Sequence, residues 1–326
     1  MTEPQLPLVQ LPERRLRLAF FGTPDIAATV LTAILDADRD DVVVAVCQPD
    51  RPRGRKRKIQ PPPVKVLAEA RGIEVLQPRK MRDGSVARAM KARDVDLAIV
   101  VAYGRILTED TLASCPHGFW NVHASLLPRH RGASPIQHAI ACGDSETGVA
   151  LMIVTPGLDE GPVLMERRIP IGPDTTAETL TIELARLGGE LTVEGLVGGK
   201  SDGLRPTPQD DDLATYAGLL SKQDGHLDLG RTAVELERQI RAFTPWPGAS
   251  LPFDSGRLKV IKASAFDMKP GKIGTIAETS PRFVVHTAQG GLELLQVQPP
   301  GKKPMSAKDF LRGAGRGLEV GQTLLN

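Results

Sequence analysis

A chain of 326 residues, 41% hydrophobic and 25% charged, has the composition of a water-soluble globular protein and enough length for about two domains. No stretch approaches the roughly 18 apolar residues of a membrane span, and residues 1–15 hold prolines and glutamines where a signal peptide has an apolar core. These features predict a disordered leader over 1–15 on a cytoplasmic protein without a membrane partner. Net charge is +2, yet residues 221–326 carry 15 Lys+Arg against 10 Asp+Glu, which leaves 26 against 29 of the totals in residues 1–220. A basic carboxyl-terminal part suits a polyanionic partner, although solvated surface charge explains the same numbers.

In chain order, residues 16–21 form an apolar run ending at Gly22-Thr-Pro-Asp25, the pattern of a buried strand, a tight turn and a helix start. Thr23 suits a capping position, Pro24 the first helical position and Asp25 the positive end of the helix dipole. Ile26, Val30, Leu31, Ile34 and Leu35 follow at helical spacing. Further strands are predicted over 42–47, 73–76, 97–102 and 119–123, with helices over 66–71, 85–93 and 135–141. A strand at 149–154 and an antiparallel edge strand at 163–171 then precede a long helix at 175–196. This alternation predicts an α/β domain at 16–204 with a doubly wound, mostly parallel, Rossmann-like sheet. The first turn has one glycine where a dinucleotide fingerprint needs three, and no phosphate-binding G-x-x-x-x-G-K-[ST] run exists. Nicotinamide dehydrogenases and P-loop nucleotidases are therefore disfavoured.

Residues 205–220 read as a linker. Beyond it, one amphipathic helix at 234–243 precedes short apolar segments at 258–263, 274–277, 283–286 and 292–296. Such spacing suggests a small β-barrel over 221–326, and an OB-like nucleic-acid module and a purely structural barrel both fit it.

Asn121 and His123 stand two residues apart in the strand at 119–123, so their side chains share one face. A Pro-Arg-His-Arg-Gly turn then takes the chain out of the sheet, at the carboxyl edge where open α/β sheets bind ligands. An amide and an imidazolium both donate hydrogen bonds, and Asp159, set among glycines, is a carboxylate able to keep the imidazole oriented as a donor. Two donors aimed at one carbonyl oxygen stabilise a tetrahedral oxyanion. That suits acyl transfer between nitrogens, in which a substrate amine is the nucleophile. A core histidine satisfied by backbone remains the alternative for His123. Ser125 and Ser134 lie close by, but no G-x-S-x-G run supports a serine hydrolase. Arg51, Arg53, Arg55, Lys56, Arg57 and Lys58 crowd the loop after the second strand, which reads as a nucleic-acid contact or as idle solvated surface. Cys47, Cys115 and Cys142 are unclustered and read as reduced thiols, and no metal-ligand spacing is visible.

Several segments carry a family resemblance. They are Gly22-Thr-Pro-Asp25, Gln48-Pro-Asp-Arg-Pro with the basic loop, Asn121-Val-His-Ala-Ser-Leu-Leu-Pro-Arg-His-Arg-Gly-Ala133 and Gly157-Leu-Asp-Glu-Gly-Pro162. Val101-Ala-Tyr-Gly104, Arg241-Ala-Phe-Thr-Pro-Trp-Pro247 and Pro300-Gly-Lys-Lys-Pro-Met-Ser306 add to them. With these the chain resembles the methionyl-tRNA formyltransferases, a branch of the folate-dependent formyltransferases. The resemblance implies 10-formyltetrahydrofolate as donor and the methionyl amino group of initiator tRNA as acceptor, without a metal. It implies Asn121, His123 and Asp159 as the catalytic set. Ser125, Leu126, Leu127 and Pro128 would line the folate site, with Val101, Ala102, Tyr103 and Gly104 near the pterin. The basic residues at 51–58 would enter the acceptor-stem region, and the barrel would hold the tRNA body. A monomer is expected. Thr155 and Glu160 stand where the family usually has Asp and Thr, and Trp120 where it has a smaller aliphatic residue. Other folate-dependent formyl enzymes, acting on amino-sugar nucleotides or hydrolysing formyltetrahydrofolate, share the 121–133 block but have no need of six clustered basic residues.

Overall fold

The computed structural model describes residues 6–53, 58–253 and 256–324. Two units divide the chain. The first comprises Met1–Pro135, Thr147–Ile169 and Thr181–Gly218, and the second Ile136–Glu146, Pro170–Leu180 and Leu219–Asn326.

Up to residue 217 the elements are β1 (Arg17–Gly22), α1 (Asp25–Ala37), β2 (Asp41–Val46), β3 (Arg51–Arg53), β4 (Lys58–Gln60), α2 (Pro63–Ala70), β5 (Glu74–Leu76), α3 (Ser85–Lys91), β6 (Leu97–Val101), α4 (Glu109–Leu112), β7 (Phe119–His123), β8 (Arg131–Gly132), α5 (Pro135–Cys142), β9 (Glu146–Ile153), β10 (Val163–Pro170), α6 (Ala177–Ser201) and β11 (Tyr216–Ala217). Seven strands form one sheet in the order β10-β9-β7-β6-β1-β2-β5. β1 pairs in parallel with β2 and β6, β2 with β5, and β6 with β7. β9 runs antiparallel to β7, with Asn121 opposite Met152 and His123 opposite Ala150. The reversal of direction thus comes one strand earlier than the sequence pattern predicts. A strand buried on both faces carries the same apolar run in either direction, so the pattern could not tell.

Helices cover both faces of the central strands. All of Leu97–Val101 and everything in β1 beyond Arg17 is buried. On one face Phe21 meets Tyr103 edge-on at 5.4 Å between ring centroids and Phe119 at 5.4 Å. Trp120 is fully buried. On α6, Gly199 lets Leu11 approach closely: a Cβ there would lie 2.8 Å from Leu11 Cδ1.

Two segments expected to lie outside this unit are bonded to it. Within the predicted leader, Val9 and Leu204 exchange backbone hydrogen bonds of 2.8 and 2.9 Å, Leu11 is buried, and Arg14 donates to both carboxylate oxygens of Asp96 at 2.7 and 2.6 Å. Within the predicted linker, Thr207 and Val163 exchange backbone bonds of 2.8 Å, and β11 pairs with β8. Both segments are held by long-range partners that leave no periodic trace in the sequence.

In the second unit, α7 (Ala233–Phe243) precedes β12 (Ala249–Phe253), β13 (Gly256–Phe266), β14 (Ile276–Glu278), β15 (Val284–His286), β16 (Gly291–Gln298), β17 (Met305–Ser306) and α8 (Ala307–Arg312). The strands pair antiparallel in the order β12-β13-β16-β15-β14, with β17 added beside β16. Leu258 and Val260 of β13 point inward on either side of exposed Lys259, joining Leu236 and Ile240 of α7 and Phe310 of α8 in one core. Phe310 stacks on Phe283 at 5.8 Å and meets Phe253 at 5.3 Å. Among the described residues these pairings trace an open path and not a closed barrel. Closure depends on whether the first and last strands pair, which local spacing does not encode. No described helix is long and apolar enough to cross a membrane.

Candidate active site

β1 lies between β2 and β6, the reversal of strand order that opens a crevice beyond the carboxyl ends of a parallel sheet. Side chains tie the loops at that edge together. Thr23 donates its hydroxyl to the Tyr103 carbonyl at 3.3 Å and accepts the Gln48 N–H at 3.3 Å. Thr23 is thus not a helix cap, and Pro24 occupies the N-cap position of α1 with no side-chain cap bond. The Gln48 amide donates to the carbonyls of Tyr103 and Gly104 at 2.9 and 3.1 Å, while its oxygen accepts from Arg51 at 2.5 Å. Asp50 accepts from Gln77 at 2.7 Å and from Lys65 at 3.1 Å, and these bonds hold its carboxyl below the usual carboxylate range.

Arg51 therefore has an internal partner; it lies exposed at the base of a hairpin in which β3 pairs antiparallel with β4, and Lys58 lies exposed at the far end of β4, opposite Arg53. Arg53 falls on β3, and the positions expected to complete the basic loop, Arg55, Lys56 and Arg57, lie outside the described residues.

Of the stretch expected near a pterin, Val101 and Tyr103 turn into the core. Burial pushes the Tyr103 phenol up to about 12, and its hydroxyl donates to Met81 Sδ at 3.2 Å. Only Ala102 and Gly104, both at positive φ, present an exposed edge. In the turn after β7, Ser125 is fully buried and donates its hydroxyl to the Arg129 carbonyl at 2.6 Å, so it closes the turn. Leu127 is buried in a small cluster with Ala150 and Met152, while Leu126 and Pro128 are half-buried.

Asn121, His123 and Asp159 do converge, in a geometry that strand spacing could not supply. Asn121 Nδ2 donates to Asp159 Oδ1 at 3.4 Å. His123, 5% exposed, donates from Nε2 to the His130 carbonyl at 3.0 Å, and its Nδ1 stands 3.8 Å from Asp159 Oδ2. A carbonyl oxygen can only accept, so Nε2 carries the proton. Nδ1 then faces Asp159 as a lone pair in the neutral ring and as a second N–H in the imidazolium. The His130 carbonyl, and not Asp159, is the group that orients the ring. Asp159 is itself gripped: its Oδ2 accepts the Gly132 N–H at 2.8 Å, and its own backbone sits at φ 50°. That left-handed conformation costs a non-glycine residue about 1–2 kcal/mol, less for Asp than for most.

The segment after α6 supplies the grip that sequence reading missed. Gln209 Nε2 donates to the carbonyls of Asp159 and Gly161 at 2.8 and 2.7 Å. Gln209 Oε1 accepts Arg131 Nε at 2.9 Å, and Arg131 Nη2 donates to Asp211 at 2.7 Å. Burial works against the Arg131 charge, but its bonds with Asp211 and Tyr216 outweigh that and raise its pKa. Thr215 accepts the His130 N–H at 2.8 Å on its hydroxyl, and its carbonyl accepts the Arg131 N–H at 2.8 Å, which steadies the peptide whose carbonyl holds His123. Thr155, beside this loop, has a buried hydroxyl with no hydrogen-bond partner among the described residues. Among the described residues no group of three or more His, Cys, Asp or Glu side chains could hold a metal ion.

A parallel-sheet crevice with two polar donors and a carboxylate at its edge is the setting of an acyl-group transferase. The formyl transferase family description matches residues 16–196 and that of the formyl transferase carboxyl-terminal domain residues 219–315. The chain belongs to the formyl transferase family. It is 47% identical over 92% of its length to the methionyl-tRNA formyltransferase of Myxococcus xanthus, covering 95% of that protein. With the methionyl-tRNA formyltransferase of Sorangium cellulosum it shares 44% identity over 95% of its length and 99% of that protein. Among solved structures, an N-formyltransferase from Helicobacter canadensis in complex with folinic acid and dTDP-3-aminofucose superposes with a TM-score of 0.64 at 18% identity, over 86% of this chain and 98% of that one. HypX of Aquifex aeolicus in complex with tetrahydrofolic acid gives 0.61 at 15% identity, over 94% of this chain and 48% of that one. At such identities these two structures share the fold.

Proposed function

We propose that this protein transfers a formyl group from 10-formyltetrahydrofolate to the amino group of methionyl initiator tRNA. The observation that carries the reading is the convergence of Asn121, His123 and Asp159 in a chain that aligns nearly end to end with methionyl-tRNA formyltransferases. The neutral methionyl amine attacks the formyl carbon, forming the new C–N bond. Asn121 Nδ2 and the Nδ1–H of protonated His123 donate to the oxyanion that develops. As the intermediate collapses the bond to N10 of the folate breaks. The proton lost by the amine passes by way of Asp159 to N10, so tetrahydrofolate leaves neutral at that nitrogen.

The turn 125–128 and the exposed edge of 101–104 border the folate in this reading. Residues 51–58 meet the acceptor stem, and the antiparallel unit beyond residue 220, in an OB-like role, holds the tRNA body. The catalytic domain in this reading is the first unit, with residues 205–218 part of it. A monomer acting in the cytoplasm, where initiator tRNA is charged, completes the proposal.

The test is formyl transfer from 10-formyltetrahydrofolate to charged initiator tRNA, run beside uncharged tRNA and an amino-sugar nucleotide. Product on charged tRNA alone is expected, and product on the sugar nucleotide alone would overturn the reading. Replacing His123 by Ala should lower turnover about a hundredfold or more with tRNA affinity nearly unchanged.

A further inference from the structure

We propose that Gln209 is a positioning residue for Asp159, acting through the backbone of the strained loop that carries the carboxylate; the proposal rests on the catalytic reading given above. The loop from 157 to 161 has no secondary structure of its own to hold Asp159 at its left-handed φ of 50°. One side chain spans it. The Gln209 amide donates to the carbonyl of Asp159 itself and to that of Gly161 two residues on, at 2.8 and 2.7 Å. Two carbonyls held by the two hydrogens of one amide nitrogen cannot rotate independently, so the peptide planes on the carboxyl side of Asp159 are fixed relative to each other.

The amide is in turn fixed the right way round. Its oxygen accepts Arg131 Nε at 2.9 Å, and an arginine only donates, so the amide cannot flip without placing N–H against N–H. Arg131 is buried and anchored at its far end by Asp211. The next residue along from Arg131, Gly132, gives its N–H to Asp159 Oδ2. Gln209 therefore sets the Asp159 backbone, while the chain just after the group that sets Gln209 binds the Asp159 carboxylate. The segment that supplies Gln209, Asp211 and the β11 partner of β8 is a strap bonded to the loop that carries Asp159. None of its side chains need touch a substrate. The role is positional.

The experiment compares wild type with Gln209→Glu, which keeps the shape but replaces the two donated hydrogens by a second acceptor. Gln209→Met, of similar length with no polar head, is the second variant should the first not fold. In formyl transfer to charged initiator tRNA, kcat should fall about tenfold or more while KM for both substrates stays within about twofold. Crystal structures of the same variants should show the Asp159 carboxylate displaced from the Gly132 N–H. A folded variant with wild-type kcat, or a rise in KM alone, would overturn the proposal, as would a variant structure with Asp159 unmoved. If wild type gives no product on charged tRNA, the functional reading fails by itself, and the position of Asp159 in the variant structures still decides the role of Gln209.

Discussion

At the scale of single residues, the site depends on which ring nitrogen of His123 faces the reaction, and the His130 carbonyl decides this by claiming Nε2. Strand spacing was enough to bring Asn121 and His123 to one face, because side chains two apart in a strand always share it. The tautomer was not legible, since His130 lies seven residues on and approaches with its backbone, about which side-chain chemistry is silent. Asp159 was visible as a lone carboxylate among glycines, but its distance from His123 in the sequence carries no geometry. Gly132 offers a direct test of the loop. It sits at φ 117°, and a Cβ there would lie 2.7 Å from the Ala217 carbonyl. Gly132→Ala should therefore displace the N–H that holds Asp159, cost more than about 1 kcal/mol of stability, and lower kcat. Denaturant melts and steady-state kinetics on the one variant check both parts.

At the scale of elements, α7 shows how a helix start can be written locally. Thr232 accepts the Glu235 N–H at 3.2 Å, and the Glu235 carboxylate accepts the Thr232 N–H at 2.9 Å, a capping box. Hydrogen bonds from the Thr232 backbone, its hydroxyl and Arg231 lower Glu235 to about 2 from the ordinary 4.5. A depressed carboxylate stabilises the fold fully above its unfolded value, and the contribution is lost as pH falls through the folded one. The window here is pH 4.5 down to about 2. Glu235 is partly open to solvent, so screening limits its share to less than about 1 kcal/mol. Thr232→Ala should cost about 1 kcal/mol in urea melts at neutral pH. Glu235→Gln should flatten the pH dependence of stability within that window, and an unchanged slope there would mean the carboxylate is not the titrating cap. α1 is the contrasting case. Thr23 looks like a cap in sequence, but its hydroxyl is spent on two neighbouring loops, a choice made by tertiary contacts.

At the scale of the molecule, charge and thiols give the accessible tests. Each phosphate neutralised releases counterions, so the six clustered basic residues at 51–58 should make tRNA binding steeply salt-dependent. Replacing Arg55 to Lys58 by Ala should weaken binding and reduce the slope of log K against log salt, by about one for each phosphate no longer neutralised. An unchanged slope would mark the loop as idle surface. Burial pushes the thiols of Cys47 and Cys115 up to about 11 each, whereas Cys142 is exposed. A maleimide reagent at neutral pH should therefore label Cys142 alone in the folded protein and all three in denaturant, read by mass spectrometry of the peptides.

The amino-acid sequence by itself determined the strands of the seven-stranded sheet, the helices α1, α2, α3, α5, α6 and α7, and the two chemistries that share a strand face, but not β3, β4, α4, β8, β11, β12, β17 or α8. Helical and strand periodicity, turn residues and the alternation of Asn121 with His123 act over a few residues and survive in one dimension. Tertiary structure alone decided the direction of β9, the open pairing of the second sheet and the docking of residues 9–14 onto the first unit through Leu11. It also turned a stretch of linker composition into the strap that holds Asp159. Those outcomes rest on hydrogen bonds between groups up to about two hundred positions apart, many made by the backbone, whose N–H and C=O are the same at every residue and so leave no mark in the sequence.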